Sequence, residues 1–389
     1  MAGRPLKIGL LWHSPNSGNL GVGALTLANM AIVREVASKA GYTPEFTIIG
    51  MGDEGASYVS PREASTYVVD RKSLLSPRGC WELFSHLDCV LDIGAGDSFA
   101  DIYGAKRFAF LWFSKVLVLG RAKPLLLSPQ TIGPFSRFPY KQLARVALER
   151  AAAVVVRDTM SLNALSNLAP RARGVLAVDV AFALPFTPRR EPAGDRIRVG
   201  INVSGLLFNE AVSGRNRFKL SFDYASLMRS LLDELCARGD VEVLLLTHAN
   251  GAGGDDDDDR VADVLAGEFP RAKRIPNFAT PVDAKSFISS LDLLVAGRMH
   301  ACIAAYSAGV AVVPISYSRK FSGLFGMLEY PWMTPVSGMD EGQAKAFLLS
   351  CLARRDELQL ATRRGMGKVD QLMEAYKEEL RRVFQRACR

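Results

Sequence analysis

Short apolar runs alternate along most of this chain with longer stretches whose apolar residues recur at helical spacing. Ile8–Leu11 reads as a strand, Trp12–Gly23 as a polar, glycine-rich loop, and Ala24–Ala40 as a helix stopped by Gly41. A strand at Phe46–Ile49 completes an opening βαβ unit. Gly50–Lys72 has no periodicity and reads as irregular connection. Cys89–Ile93, Pro124–Ser128, Ala153–Val156 and Val175–Val178 supply further strands, with helices at Phe108–Leu119, Tyr140–Ala151 and Met160–Leu168 between them. Residues 185–196 carry three prolines and several charges without apolar spacing, which marks a linker. A second series follows, with strands at Ile197–Val203 and Val241–Leu246, from Leu293, and at Val310–Ser316. Its helices are Tyr224–Arg238, Arg260–Phe269 and a segment from near His300 to Gly309, and amphipathic helices at Gly342–Leu358 and Gly365–Arg386 close the chain.

Strands that alternate with helices predict an α/β protein with parallel sheets. At 389 residues, a chain of this pattern divides into two domains. The expectation is two Rossmann-like domains, 1–184 and 197–389, facing across a cleft in a GT-B-like arrangement, with ligands held by strand-end loops. The loop His13–Gly23 does not have the spacing of a dinucleotide fingerprint.

Composition adds a direction. A net charge of +8 favours anionic partners such as a phosphorylated small molecule, a phosphate-linked lipid or a membrane surface. No basic stripe interleaved with aromatics and no zinc-finger spacing supports nucleic-acid binding. The six cysteines are scattered without a C-x-x-C pair, as in reduced proteins. The N-terminus leads straight into a strand and Phe108–Leu119 is too short to span a bilayer, so a cytoplasmic location is expected, with peripheral contact at the inner face of the membrane left open.

Candidate chemistry gathers at the turn Gly297-Arg-Met-His300, between an apolar strand and a helix. Arg298 can grip a phosphate or carboxylate in bidentate fashion, and His300 can exchange protons near neutral pH. The competing reading is a histidine capping its own helix and an arginine paired with a structural carboxylate. Arg157, beside Asp158 at the end of another strand, is a second cationic anchor for an anion or half of a structural ion pair. Lys320 follows the next strand and could reach the same pocket. Asp97 and Asp101 could accept sugar hydroxyls or cap a helix, and Asn19 and Gly21 could shape a sugar-binding loop. His248, also at a strand end, reads as structural. The run Asp255–Asp259 lacks the alternating ligand spacing of a calcium loop and reads as a solvated surface loop.

Several blocks, in order, resemble the polysaccharide pyruvyl transferase family. They are Asn19-Leu-Gly-Val-Gly-Ala24, Gly94-Ala-Gly-Asp-Ser-Phe-Ala-Asp101, Ser128-Pro-Gln-Thr-Ile-Gly-Pro134, Val156-Arg-Asp-Thr-Met-Ser161 and Asp179-Val-Ala-Phe182. The most specific is Gly297-Arg-Met-His-Ala301, followed by Ile315-Ser-Tyr317 and Lys320. The resemblance implies transfer of pyruvate from phosphoenolpyruvate to two hydroxyls of a sugar in a polysaccharide or lipid-linked precursor, forming a cyclic ketal and releasing phosphate. It implies His300 and Arg298 as catalytic residues, and Arg157, Lys320, Gly297, Met299, Tyr317, Asp97, Asn19 and Gly21 around the substrates. No cofactor or metal is expected, the donor being a substrate. The alternatives are a GT-B glycosyltransferase using a nucleotide sugar and a non-catalytic glycan-assembly partner.

Overall fold

The computed structural model describes residues 3–189, 195–250, 256–335 and 337–388. Two compact units emerge. Unit 1 joins the segment up to Ser17, Leu25–Ala183 and the chain from Val369 onward, whereas unit 2 joins Gly18–Ala24 to Leu184–Lys368. Each is a Rossmann-like domain built on a parallel sheet.

Seven strands form the sheet of unit 1: β1 (Arg4–Leu11), β2 (Tyr42–Gly50), β3 (Ala64–Val68), β4 (Cys89–Asp92), β5 (Leu125–Gln130), β6 (Ala153–Val156) and β7 (Gly174–Leu176). Their order, β3-β2-β1-β4-β5-β6-β7, reverses direction between β1 and β4, so the crevice outside those two strand ends is the topological switch point. β4, β5 and β6 are buried at every position because helices cover both faces, which is why they read as continuous apolar runs. The stretch read as irregular contains β3, an edge strand whose Ser65 and Thr66 are exposed. Its exposed face gives no apolar run to read.

Unit 2 contributes β8 (Ile197–Asn202), β9 (Val241–Leu245), β10 (Lys273–Arg274), β11 (Leu293–Ala296) and β12 (Ala311–Pro314) in the order β10-β9-β8-β11-β12. Its switch point lies between β8 and β11. A core of Leu, Val, Ile and Phe side chains packs the helix Tyr224–Ala237 onto β8 and β9.

The divisions of the chain differ from the linear expectation in three places. The chain passes from unit 1 to unit 2 at Ala183–Leu184, Thr187 and Arg189 already bond to Ser286 and Ser289 of unit 2, and residues 190–194 of the expected linker lie outside the described residues. The helix Leu20–Lys39 starts earlier than Ala24, because Asn19 accepts from the Gly21 N–H at 3.0 Å and the Leu20 N–H donates to His248 O at 3.0 Å. This helix is long and apolar enough to cross a bilayer, yet 72% of its most apolar window is buried inside the protein. Finally, Arg355–Ala387 is one continuous helix, and it joins unit 1 from Val369. Gly365 does not stop it; a Cβ there would run into the Tyr306 hydroxyl, so the glycine is a close-packing position.

Candidate functional site

At the switch point of unit 2, β8 runs into Asn202-Val-Ser204 and β11 into Gly297-Arg298. A Cβ on Gly297 would lie 2.9 Å from Ser204 Cβ and 2.9 Å from the Tyr224 hydroxyl, so only glycine lets the two loops come this close. Asn202 Oδ1 accepts from the Arg298 N–H at 3.2 Å and fixes the entry to the helix Met299–Ser307.

Arg298 is not an open anion anchor. Its Nε and Nη2 donate to Asp258 Oδ1 at 3.0 and 2.7 Å, its Nη2 also reaches Asp256 O at 2.8 Å, and its Nη1 meets Asp256 Oδ1 at 2.7 Å. Burial works against its charge, but the Asp258 and Asp256 carboxylates outweigh it and hold the guanidinium above its ordinary pKa. The structural-carboxylate reading therefore describes three of its donors.

The same geometry overturns the solvated-loop reading of the aspartate run. Asp258 is 0% exposed and begins the helix Asp258–Glu268. Besides Arg298, it accepts from the N–H groups of Gly205, His248 and Ala249 at 2.8, 3.1 and 3.2 Å, tying the β8, β9 and β11 loops together. Asp257 caps that helix, and Asp259 binds Asn277 and Arg274. Asp255 lies outside the described residues.

His300 occupies the first turn of Met299–Ser307, and its Nε2 is shut off from solvent. Gly21 lies against the ring. A Cβ added there would meet His300 Nδ1 and sit 2.8 Å from its Cγ. Asn19 pairs with Ala249 in an isolated antiparallel bridge, so the Asn19–Gly21 loop belongs to unit 2 and not to the amino-terminal domain in which it was expected. His248 is 4% exposed. Burial lowers its pKa to about 3, and among the described residues neither ring nitrogen has a hydrogen-bond partner. The buried Ser204 hydroxyl also lacks one. Such groups mark where a ligand or water completes a site. Burial also lowers the Lys320 pKa to about 8 and raises that of Tyr317, whose ring packs edge-on to Phe218. Met299 is buried at 9% exposure, as a packing residue is.

Arg157 and Asp97 belong to unit 1. Arg157 is 3% exposed, with Nη1 2.7 Å from Asp179 Oδ2 and Nε donating to Thr131 Oγ1 at 3.0 Å. That corrects both its reading as an open anchor and its pairing with Asp158, which caps the helix Thr159–Leu168 instead. Asp97 accepts from the Tyr103 hydroxyl at 2.8 Å, and Asp101 accepts from the backbone of Ser136 and Arg137, a structural role. His13 at the end of β1 uses both nitrogens: Nδ1 donates to Leu11 O at 3.1 Å and Nε2 accepts from Asn29 at 2.9 Å, while burial lowers its pKa to about 4. A cavity of about 180 Å³ opens at the switch point of this sheet, lined by Trp12, Met51, Ala95, Ser98, Lys106, Arg107, Phe110 and Leu111. Trp12 and Ala95 hold left-handed backbone there, with φ of 59° and 48°.

Sequence reasoning missed Asp258, Asn202, Ser204 and the pair Lys115–Asp92, 2.8 Å apart and fully buried. Lys115 left one trace, as the charge that interrupts an apolar helix.

The sequence profile described as polysaccharide pyruvyl transferase matches residues 19–319. The chain belongs to that family. The matched span starts at the loop that packs on His300 and takes in Arg157, Asp258 and Arg298. The amylovoran biosynthesis protein AmsJ of Erwinia amylovora is 21% identical over 295 residues, covering 72% of this pyruvyl transferase and 69% of AmsJ. Among solved structures, sucrose-phosphate synthase from Thermosynechococcus elongatus superposes with a TM-score of 0.61 at 13% identity, covering 98% of each chain. HepE of Anabaena in complex with UDP-glucose gives 0.56 at 10% identity over 97% of this chain and 98% of that one. At such identities they establish a GT-B-like fold and nothing about the substrate. The protein is a transferase of the polysaccharide pyruvyl transferase family, similar to an amylovoran biosynthesis protein.

Proposed function

We propose that this enzyme moves the pyruvyl group of phosphoenolpyruvate onto two hydroxyls of one sugar in a polysaccharide or lipid-linked precursor. The observation that carries the reading is the packing of His300 between Gly21 and the helix start beside Arg298, inside the span that matches the family. In the reaction, the enol C3 gains a proton, C2 becomes electrophilic and a sugar hydroxyl adds to it. The second hydroxyl then displaces phosphate, leaving the ketal. His300 carries the proton to C3 or from the attacking hydroxyl, a task worth roughly 10²–10⁴-fold in rate.

Lys320 and the first turn of Met299–Ser307 offer positive charge to the phosphate and carboxylate. Asp256 is 49% exposed at the side chain, so the Arg298 Nη1 edge it covers is the one an incoming anion would take over. Arg157, neutralised by Asp179, is withdrawn from the donor set. Asp97 and the Trp12–Ala95 cavity remain the candidates for the acceptor. Four buried free cysteines fit a reducing, cytoplasmic setting.

The test is incubation with phosphoenolpyruvate and a panel of free, aryl-linked and lipid-linked sugars, reading phosphate release and the mass of a sugar ketal. Ketal formation that disappears in His300→Ala is the expected outcome. Failure of the wild-type enzyme to bind phosphoenolpyruvate would sink the reading.

A further inference from the structure

Beside the Trp12–Ala95 cavity, and sharing Met51, Lys106 and Phe110 with it, unit 1 carries an open groove of about 740 Å³. Val69 and Leu74 form buried parts of its lining. Phe110, Trp112 and Phe113 of the helix Ala105–Gly120 stand opposite Leu74 and Leu75 of the short helix Arg71–Leu75. Its mouth is apolar and wet: Met51 is 53% and Leu75 65% exposed. Val68, at the end of β3 and close to Gly52, is exposed as well. Ile102 and Tyr103 follow β4 on the same sheet edge, with the Arg107 guanidinium 5.6 Å from the Tyr103 ring. Five of the eleven large exposed hydrophobic residues among the described residues thus sit on the carboxyl edge of one sheet, where loops of a soluble surface are ordinarily polar.

In the lining the cations outnumber the acids, although Asp97 accepts from the Tyr103 hydroxyl and exposed Asp53 and Glu54 follow Met51. Arg71 and Lys106 line the groove, Arg107 lines the adjoining cavity, and Lys72 follows Arg71 on the same helix. Asp70 is the acid in the lining, and it is engaged as the cap of that helix, accepting from the Ser73 N–H at 2.6 Å. An apolar centre ringed by lysine and arginine is complementary to a bilayer: acyl chains meet the apolar side chains while the cations meet anionic headgroups.

We infer that this groove docks the protein on an anionic phospholipid surface. The occupant is the bilayer itself. Docking on this edge brings the carboxyl ends of β2, β3 and β4, and the cavity at the switch point between β1 and β4, next to the headgroup layer, where the sugar of a lipid-linked glycan would lie. The inference stands on unit 1 alone and does not depend on the reaction proposed above.

Co-sedimentation of the full chain with vesicles tests it. Binding is expected to phosphatidylglycerol-containing vesicles, to weaken about tenfold or more on pure phosphatidylcholine and to fall with added salt. Met51→Glu with Leu75→Glu should lower partitioning by roughly tenfold or more, with the thermal melt and circular dichroism unchanged. Val264→Glu with Leu360→Glu, two exposed positions of unit 2, should leave partitioning as it was. Absence of binding to the anionic vesicles, as expected if a protein partner covers the groove instead, would overturn the inference. Undiminished binding by the Met51/Leu75 double variant would do the same.

Discussion

At the carboxyl end of the first sheet, Lys115 pairs with Asp92 at 2.8 Å and Arg157 with Asp179 at 2.7 Å, and all four side chains are 3% exposed or less. At the second, Arg298 is shared between Asp258, fully buried, and Asp256, 49% exposed. The histidines differ in the same way. His13 in unit 1 has a partner on each ring nitrogen, whereas His248 in unit 2 has none among the described residues. Unit 1 thus closes its charges on themselves. In unit 2 one partner of the arginine has a half-exposed side chain. Both His248 ring nitrogens and the Ser204 hydroxyl are buried there without a hydrogen-bond partner among the described residues; in unit 1 Gln130 Oε1 is such an atom. A charge at a strand end is therefore not in itself a binding group; what separates scaffold from chemistry is whether its partner is dry.

The largest effect should come from breaking the buried hub. Asp258→Ala leaves Arg298 charged and without its main partner and frees three backbone N–H groups, and loss of one partner of a buried pair costs about 3–5 kcal/mol. Urea denaturation should show that loss in Asp258→Ala, and a smaller one in Asp258→Ala combined with Arg298→Met. Asp256→Ala should cost less than about 1 kcal/mol, because its side chain is half in water. Equal losses at the two aspartates would erase the distinction between a fixed and a displaceable partner.

Next in size is the contrast between histidines. His300→Ala should lower kcat by roughly 10²–10⁴-fold with little change in melting temperature, whereas His13→Gln should lower the melting temperature and leave kcat near wild type. Gly21→Ala offers a subtler probe: the new methyl would press on the His300 ring, and kcat should fall by roughly tenfold through misplacement alone. Assays of phosphate release and ketal formation measure all three.

Much of the frame was legible because a sheet covered on both faces must be written in apolar residues; β4, β5, β6, β11 and β12 stood out as runs for that reason. β3 did not, since an edge strand with exposed Ser65 and Thr66 carries no such signature. The turn at Gly297–His300 was legible from its place between strand and helix. What surrounds it was not. Asp258 looked like one member of a solvated run, and its partner Arg298 lies 40 positions away, a separation that only the folded chain closes. Arg157 and Asp179 each lay in a recognisable block, yet their pairing was invisible, and with it the fact that the arginine is spent. The loop at Asn19–Gly21 was assigned by its position in the chain, whereas contacts place it in unit 2.

Acid should act on both units through their neutral histidines. Burial depresses His13 to about 4 and His248 to about 3 from an ordinary 6.5. Between those values and 6.5 the unfolded chain holds the extra proton, so stability is intact above pH 6.5 and drains as the pH falls towards 4. For His13 the gap is worth about 3 kcal/mol at most. Urea midpoints from pH 7 to pH 4 should fall for the wild type and fall less for His13→Gln and for His248→Gln. A flat wild-type profile would mean that neither ring is held neutral.

The smallest effect distinguishes binding from folding at one residue. Burial brings Lys320 down to about 8 from 10.5, so its charge fades as the pH passes 8. If that charge helps hold phosphoenolpyruvate, KM for the donor should rise about two- to fivefold between pH 7 and pH 9, the share expected of one partly screened ion pair. Stability should move the other way: above pH 8 the unfolded lysine binds the proton and the folded one does not, so this residue favours the folded state more as the pH rises towards 10.5. Lys320→Arg, charged throughout, should remove the alkaline rise in KM. Lys320→Met should raise KM at both pH values to the level the wild type reaches at pH 9. A wild-type KM that stays level across this range would assign Lys320 to packing and leave Arg298 and the helix start as the cationic side of the site.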